Sequence, residues 1–335
     1  MDRLLIAAAL ATSLAVRANH VDEPRFAVRE TSTLRKVFEH DLKVESTSVR
    51  ISVPGLEELA DATSTIGISI EDSGRVEVTD EYGGMVAGRP AKLRRTFDRI
   101  ESHEDQQTRF ATGPGHPDSR KDRRKVGTSG LEGRSILFTL DRGAGTYAAT
   151  FAGEGAEESL LDGLNEDMDF RFLLPAGRVA IGEAWAIDPK LCGAIFAPGG
   201  DLKLEEKGTD EDPGWSIGRE IRRNLEGKAK AIWKGVREEN GRQVGILGVD
   251  LDLRSAGESA AKDPKAGTIR FKLSLELVGD LVWDLEAGHF RTFRAGGKVR
   301  YDMATRKTTD IDGVPTEMRH ELDFEGEAEY TASAR

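Results

Sequence analysis

Apolar and polar residues alternate with a period of two through most of this chain, and that alternation predicts β-strands. Ile66, Ile68 and Ile70 alternate with Gly67 and Ser69, and Val76 and Val78 resume the pattern beyond Asp72-Ser73-Gly74, which reads as the turn of a hairpin. Leu42 and Val44 fall on even positions whereas Val49, Ile51 and Val53 fall on odd ones, so a bulge or strand break is expected near Ser46-Thr47-Ser48. Leu93, Phe97 and Ile100 mark a strand in a charged segment. Ile136, Phe138 and Leu140 are joined to Tyr147 and Phe151 by a turn at Asp141-Arg142-Gly143-Ala144-Gly145.

The second half repeats this style. Ala229, Ala231 and Trp233 lead to Asn240-Gly241, the strongest short hairpin signal in the chain. Val244 and Ile246 follow, then Val249, Leu251 and Leu253 in opposite parity. Residues 255–267 read as a linker-like loop. Ile269, Phe271, Leu273, Leu275 and Leu277 alternate without a break, and Leu281, Trp283 and Leu285 are expected to answer them across a turn at Gly279-Asp280. Met318, His320, Leu322, Phe324, Ala328 and Tyr330 carry the alternation to the C-terminus.

Three stretches depart from the strand pattern. Residues 57–62 predict a short helical turn. Over 157–167 the chain predicts a helix, with Leu160, Leu161, Leu164 and Met168 on one stripe and Glu157 and Glu158 suiting the positive end of its dipole. Between about Glu104 and Gly130 no period survives. This stretch, with the basic cluster Arg120, Lys121, Arg123, Arg124 and Lys125, reads as a solvated loop. The expected fold is mostly β: one large, curved antiparallel sheet, as a half-barrel or two related β halves, with a helix near the midpoint. The halves would span 19–155 and 176–335, joined by a helix and connector over 156–175.

Met1 to Ala18 reads as a secretory signal: Arg3 opens it, Leu4 to Val16 is apolar, and Val16-Arg17-Ala18 resembles a cleavage site. Spanning a bilayer as a helix takes about 20 apolar residues, so this run is too short for one. An ordinary buried N-terminal helix is the competing reading. The signal predicts a bacterial periplasmic or extracellular protein, not an integral membrane protein once the signal is removed. Outer-membrane strands also alternate, but the 6% aromatic content leaves no residues for girdles. A formal net charge of −11 argues against nucleic acid as a partner.

Chemistry is sparse. Cys192 is the single cysteine, so no intramolecular disulfide forms, and it reads as a small buried side chain rather than a nucleophile. None of the six histidines has zinc-ligand spacing, and His103-Glu104-Asp105 reads as a solvated loop edge. Asp310-Ile311-Asp312-Gly313 starts like a calcium loop but lacks the closing glutamate. Thr209-Asp210-Glu211-Asp212-Pro213 reads as a charged turn, and Asp250 and Asp252 as solvent-facing carboxylates. No nucleophile elbow or phosphate loop occurs, and no cofactor is implied.

The segment Leu174-Pro175-Ala176-Gly177-Arg178-Val179-Ala180-Ile181-Gly182-Glu183-Ala184-Trp185 resembles one in uncharacterised exported bacterial proteins, in which a late strand ends as Trp283-Asp284-Leu285-Glu286-Ala287-Gly288 does here. The layout is similar to the half-barrels of periplasmic lipoprotein carriers. This resemblance implies a concave apolar face that holds acyl chains, without the lipid-anchor cysteine of many relatives, and assigns no site residue. The leading expectation is therefore a noncatalytic binder of a lipid or other apolar or amphipathic small molecule. Leu160, Leu164, Met168, Phe271, Leu273, Leu275 and Trp283 are the candidate cavity walls. An envelope scaffold whose own side chains fill the concavity is the alternative, and a hydrolase with a scattered site comes third.

Overall fold

The computed structural model describes residues 24–29, 31–52, 64–112, 119–153, 157–208, 217–260, 267–311 and 314–335. The signal segment, the expected turn at 57–62 and the charged turn at 209–213 lie outside the described residues, as do Asp312 and Gly313.

Thirteen strands form one antiparallel sheet that does not close: β1 (Thr33–Ser52), β2 (Ser64–Val86), β3 (Arg89–Thr112), β4 (Ser119–Ser129), β5 (Ser135–Asp141), β6 (Thr146–Phe151), β7 (Ala184–Ile187), β8 (Leu204–Gly208), β9 (Glu226–Glu239), β10 (Arg242–Ala260), β11 (Thr268–Asp284), β12 (His289–Ile311) and β13 (Val314–Ala334). The main path runs β6-β5-β3-β2-β1-β13-β12-β11-β10-β9-β7, with β4 added to β3 and β8 to β4. The two meanders are joined by the pairing of β1 with β13, from Lys36 opposite Ala334 to Ser52 opposite Arg319. The chain leaves the sheet at the β6 edge and regains it at the β7 edge. The segment between must cross the sheet, and it does so over one face, carrying Phe170 onto Phe38 of β1 and Phe290 and Phe293 of β12.

The expected fold class is present, with two turns and four other features read differently. Asp72-Ser73-Gly74 is not a turn, since β2 runs straight through it, paired on both sides. Gly74 lies opposite His40, and a Cβ there would sit 2.3 Å from His40 Cε1, so this glycine makes room for an imidazole. Gly279 likewise lies inside β11, where a Cβ would meet Arg294 O of β12 at 2.0 Å. The even parity from Ile66 to Val78 and the odd parity from Ile269 to Trp283 are both unbroken, as continuous strands require. The true turn after β11 falls at 285–288.

The basic cluster at 120–125 is a strand, not a loop. β4 pairs with β3, and Lys125 and Arg124 lie 3.6 Å from the Glu104 and Asp105 carboxylates. Because most of β4 is wet on both faces, it carries no alternation for a period to reveal. His103-Glu104-Asp105 is accordingly part of β3 rather than a loop edge. Likewise β10 continues to Ala260, through the first part of the expected linker.

The midpoint helix shrinks to a single 3-10 turn, Glu158–Leu161, without a side-chain cap. Gly163, at φ +81, and the Leu164 to Gly200 bridge end it, and Met168 is buried beyond it. The apolar stripe is thus spent by a folded-back loop instead of by a helix. The Ser46/Ser48 register shift and the Asn240-Gly241 hairpin appear as expected. The register shift opposite Ile246 and Leu247 is a bulge on β9, where Lys234 is skipped, and β10 carries apolar residues of both parities because Val244 to Val249 are all buried.

Candidate functional site

Three charged residues occupy inward positions on neighbouring strands. Lys36 lies between Leu34 and Phe38 on β1, Asp80 between Val78 and Tyr82 on β2, and Arg95 between Leu93 and Phe97 on β3, all fully buried. Asp80 stands directly opposite Arg95 in the β2–β3 register. Arg95 grips it from Nε and Nη2, each at 2.8 Å, and also donates to the carbonyls of Asn165 and Glu166 at 2.9 Å. Lys36 Nζ reaches Asp80 at 2.8 Å and the Tyr82 hydroxyl at 2.6 Å. From the crossing segment, Asp169 completes the group, 2.5 Å from Lys36 Nζ and accepting from Tyr82.

Burial works to raise the Asp80 pKa, but the charges of Arg95 and Lys36 overcome it and hold the carboxyl down at about 2. Burial pushes neighbouring Glu166 up to about 7, against the attraction of Arg171 and with repulsion from Asp167. Mutual saturation makes the Lys36–Asp80–Arg95–Asp169 group a fastener between sheet and crossing segment. Its signature was in the sequence: charged residues on the apolar parity of three strands.

Beside this fastener is a cavity of about 350 Å³. Phe38 and His40 of β1, Phe293 of β12 and Tyr330 of β13 supply its sheet side, and Phe170, Ile195 and Phe196 its cover. Phe196, in the helical turn Gly193–Phe196, stands edge-on to Tyr330 at 5.2 Å, and Phe170 lies 4.6 Å from Phe293. β2 adds Gly74 to Val76 and β3 adds Ile100 to Ser102, and the rest of the wall comes from residues 197–204 and from Gly218, Arg219 and Arg222 of the helix Ile217–Arg223.

Most ionic groups in the lining are matched. His40 Nε2 lies 3.2 Å from Asp72 Oδ2. Asp201 accepts from Lys203 at 3.0 Å and Arg219 at 2.7 Å, which hold its carboxyl below the usual range despite burial. Glu39 is paired with Arg75, and Glu101 with Arg99 at 2.7 Å. Arg222, half-buried, forms no ion pair among the described residues; burial lowers its pKa, and Asp201 opposes that. Burial also raises the pKa of the Tyr330 phenol.

The residues expected as cavity walls are scattered. Leu160 packs beside Gly130, Leu164 lines a separate open groove with Glu166 and Arg171, and Met168 lies under Gly199. Phe271, at 1% exposure, lies beside Gly257 on β10, and Leu275 is buried while Leu273 is half-buried. Trp283 is fully buried, its Nε1 donating to Arg25 O at 3.2 Å. None of the seven touches the aromatic cavity. The actual lining comes from β1, β2, β3, β12 and β13 on the sheet side and, opposite them, from Phe170 of the crossing segment and the turns that follow β7, whose paths no period encodes.

Cys192 is buried, and burial pushes its thiol up to about 12, which keeps it protonated and inert as a nucleophile. Among the described residues no group of three or more His, Cys, Asp and Glu is placed to hold a metal ion. No helix among them is long and apolar enough to cross a membrane.

No protein-family model and no curated protein matches this chain. Among solved structures it is similar to the InvG secretin domain β-barrel of the Salmonella SPI-1 injectisome, at 6% identity and a TM-score of 0.18, covering 92% of this chain and 63% of that one. A second structure, of the Salmonella SPI-1 type III secretion injectisome secretin InvG, gives 7% identity and a TM-score of 0.17, covering 92% and 65%. The chain thus spans just under two thirds of those chains.

Proposed function

We propose that this is an exported, noncatalytic protein that binds an amphipathic small molecule in the aromatic cavity between its sheet and crossing segment. The observation that carries this reading is the cavity itself: about 350 Å³, walled by Phe38, Phe170, Phe196, Phe293 and Tyr330, with charged groups along one side. Small-molecule sites are concave, mostly apolar and about 300–1,000 Å³, with a few polar groups to orient the ligand. The aromatic pairs and the buried ionic fastener fix the cover to the sheet, so the cavity is preformed. Export rests on the signal-like residues 1–18.

The test is organic extraction of protein purified from its native compartment, with mass spectrometry, followed by titration of extracted protein with 1-decanol and decanoate. A co-purifying amphiphile, or saturable binding that raises the melting temperature, is the expected result. Absence of both would leave an envelope scaffold with a self-filled core as the better account.

A further inference from the structure

The charges around the cavity are matched except at one place. Asp201 is shared by Lys203 and Arg219, Glu39 is joined to Arg75, and His40 faces Asp72. Arg222 has no carboxylate within ion-pairing distance among the described residues; Asp201 attracts it from farther off, and Arg219 and Arg223 of the same helix repel it. Its side chain lies beside two backbone stretches: a Cβ on Gly193 would be in ordinary contact with Arg222 Cβ, and one on Gly218 with Arg222 Nη1, both at 3.6 Å. The Tyr330 hydroxyl, in the same lining, has no hydrogen-bond partner among the described residues either.

A guanidinium held half out of water with like charges as neighbours is a standing electrostatic cost, and an anion brought to it offsets that cost. Carboxylates match a guanidinium best, through two parallel charge-assisted hydrogen bonds. The aromatic wall asks for an apolar body. With about 30 Å³ per water-sized group, the cavity holds about a dozen non-hydrogen atoms.

We infer that the ligand is a small monocarboxylic acid with an apolar body of about a dozen non-hydrogen atoms in all, its carboxylate taken by Arg222 and its body by the Phe38, Phe170, Phe196 and Phe293 wall. This rests on the binding reading above and adds the head group and the size.

The experiment is calorimetric titration of the full chain at neutral pH with three probes of one chain length: decanoate, 1-decanol and decyltrimethylammonium. Hydrogen bonds to charged groups are worth about 1.5–3 kcal/mol, so decanoate should bind at least about tenfold tighter than 1-decanol, and the ammonium weakest. Arg222→Met should lower decanoate affinity by about the same factor and leave 1-decanol nearly unchanged, with Arg222→Gln as the second variant should the first not fold. Arg219→Met, which removes a group already engaged by Asp201, should change the preference little. Equal binding of decanoate and 1-decanol, or an Arg222 variant that keeps the preference, overturns the carboxylate assignment while the binding reading stands. Failure of all three probes to bind overturns this inference, and with no co-purifying amphiphile it overturns the binding reading as well.

Discussion

Lys36 on β1 places its ammonium 2.5 Å from the Asp169 carboxylate of the crossing segment, and neither side chain touches solvent. Asp80 and Tyr82 hold the same ammonium from β2. A buried pair of this kind gains little over an apolar pair of equal volume, but removing one member strands the other. Asp169→Ala should therefore destabilise the protein by about 3–5 kcal/mol in urea unfolding, because it leaves Lys36 with one carboxylate instead of two. A loss under about 1 kcal/mol would mean that water already reaches Lys36, contrary to its burial.

Two buried carboxyls, Asp80 and Glu166, have pKa values shifted in opposite directions and act oppositely on stability. Asp80 falls from its ordinary 3.8 to about 2, so its contribution is present above 3.8 and is lost as pH drops through about 2. Glu166 rises from 4.5 to about 7, so the folded state holds a proton that the unfolded chain has released in that window. Stability should therefore decline as pH rises from 4.5 to about 7. Glu166→Gln, which keeps a neutral group of the same shape, should remove that decline. Melting temperatures of both proteins across this window decide it: parallel curves would show that Glu166 is ionised throughout.

The strands were legible because burial on one face writes a period of two into the residues, and the Asn240-Gly241 turn because its backbone needs those residue types. The turns wrongly expected at Gly74 and Gly279 came from reading glycine as a break when the parity around it was unbroken. β4 was illegible because a strand wet on both faces has no pattern. The cavity was illegible for a different reason. Phe170 and Phe196 sit in two stretches of short turns on either side of β7, whose positions depend on contacts far away in sequence, such as Asp169 with Lys36 and Phe196 with Tyr330.

Gly279 and Gly67 are both glycines inside strands, but their surroundings differ. A Cβ at Gly279 would lie 2.0 Å from Arg294 O and 2.6 Å from Ala295 Cα, both backbone atoms that move only with β12, whereas nothing lies within 4 Å of one at Gly67. Gly279→Ala should destabilise by about 1–3 kcal/mol through forced separation of β11 and β12. Gly67→Ala should stay within about 0.5 kcal/mol of the parent. Chemical denaturation of the two variants side by side measures the contrast. Equal effects would mean that β11 and β12 lie farther apart at Gly279 than the structure has them.

Phe170 joins strain to packing. Its backbone is left-handed, at φ 54, a conformation that costs a bulky residue about 1–3 kcal/mol and persists only where the surroundings enforce it. Here the enforcing contacts are rings: Phe293 at 4.6 Å, Phe290 at 5.1 Å and Phe38 at 5.9 Å. Phe170→Ala removes them while keeping the strained backbone, and should cost about 3–5 kcal/mol. Phe170→Gly removes the same rings but relieves the strain, so it should be no less stable than the alanine variant, although glycine is ordinarily the more destabilising choice. Both variants should exchange amide hydrogens faster over 164–174, because the crossing segment loses its hold on β1 and β12. If alanine proves clearly the more stable of the two, the left-handed backbone at this position is not enforced by the ring cluster.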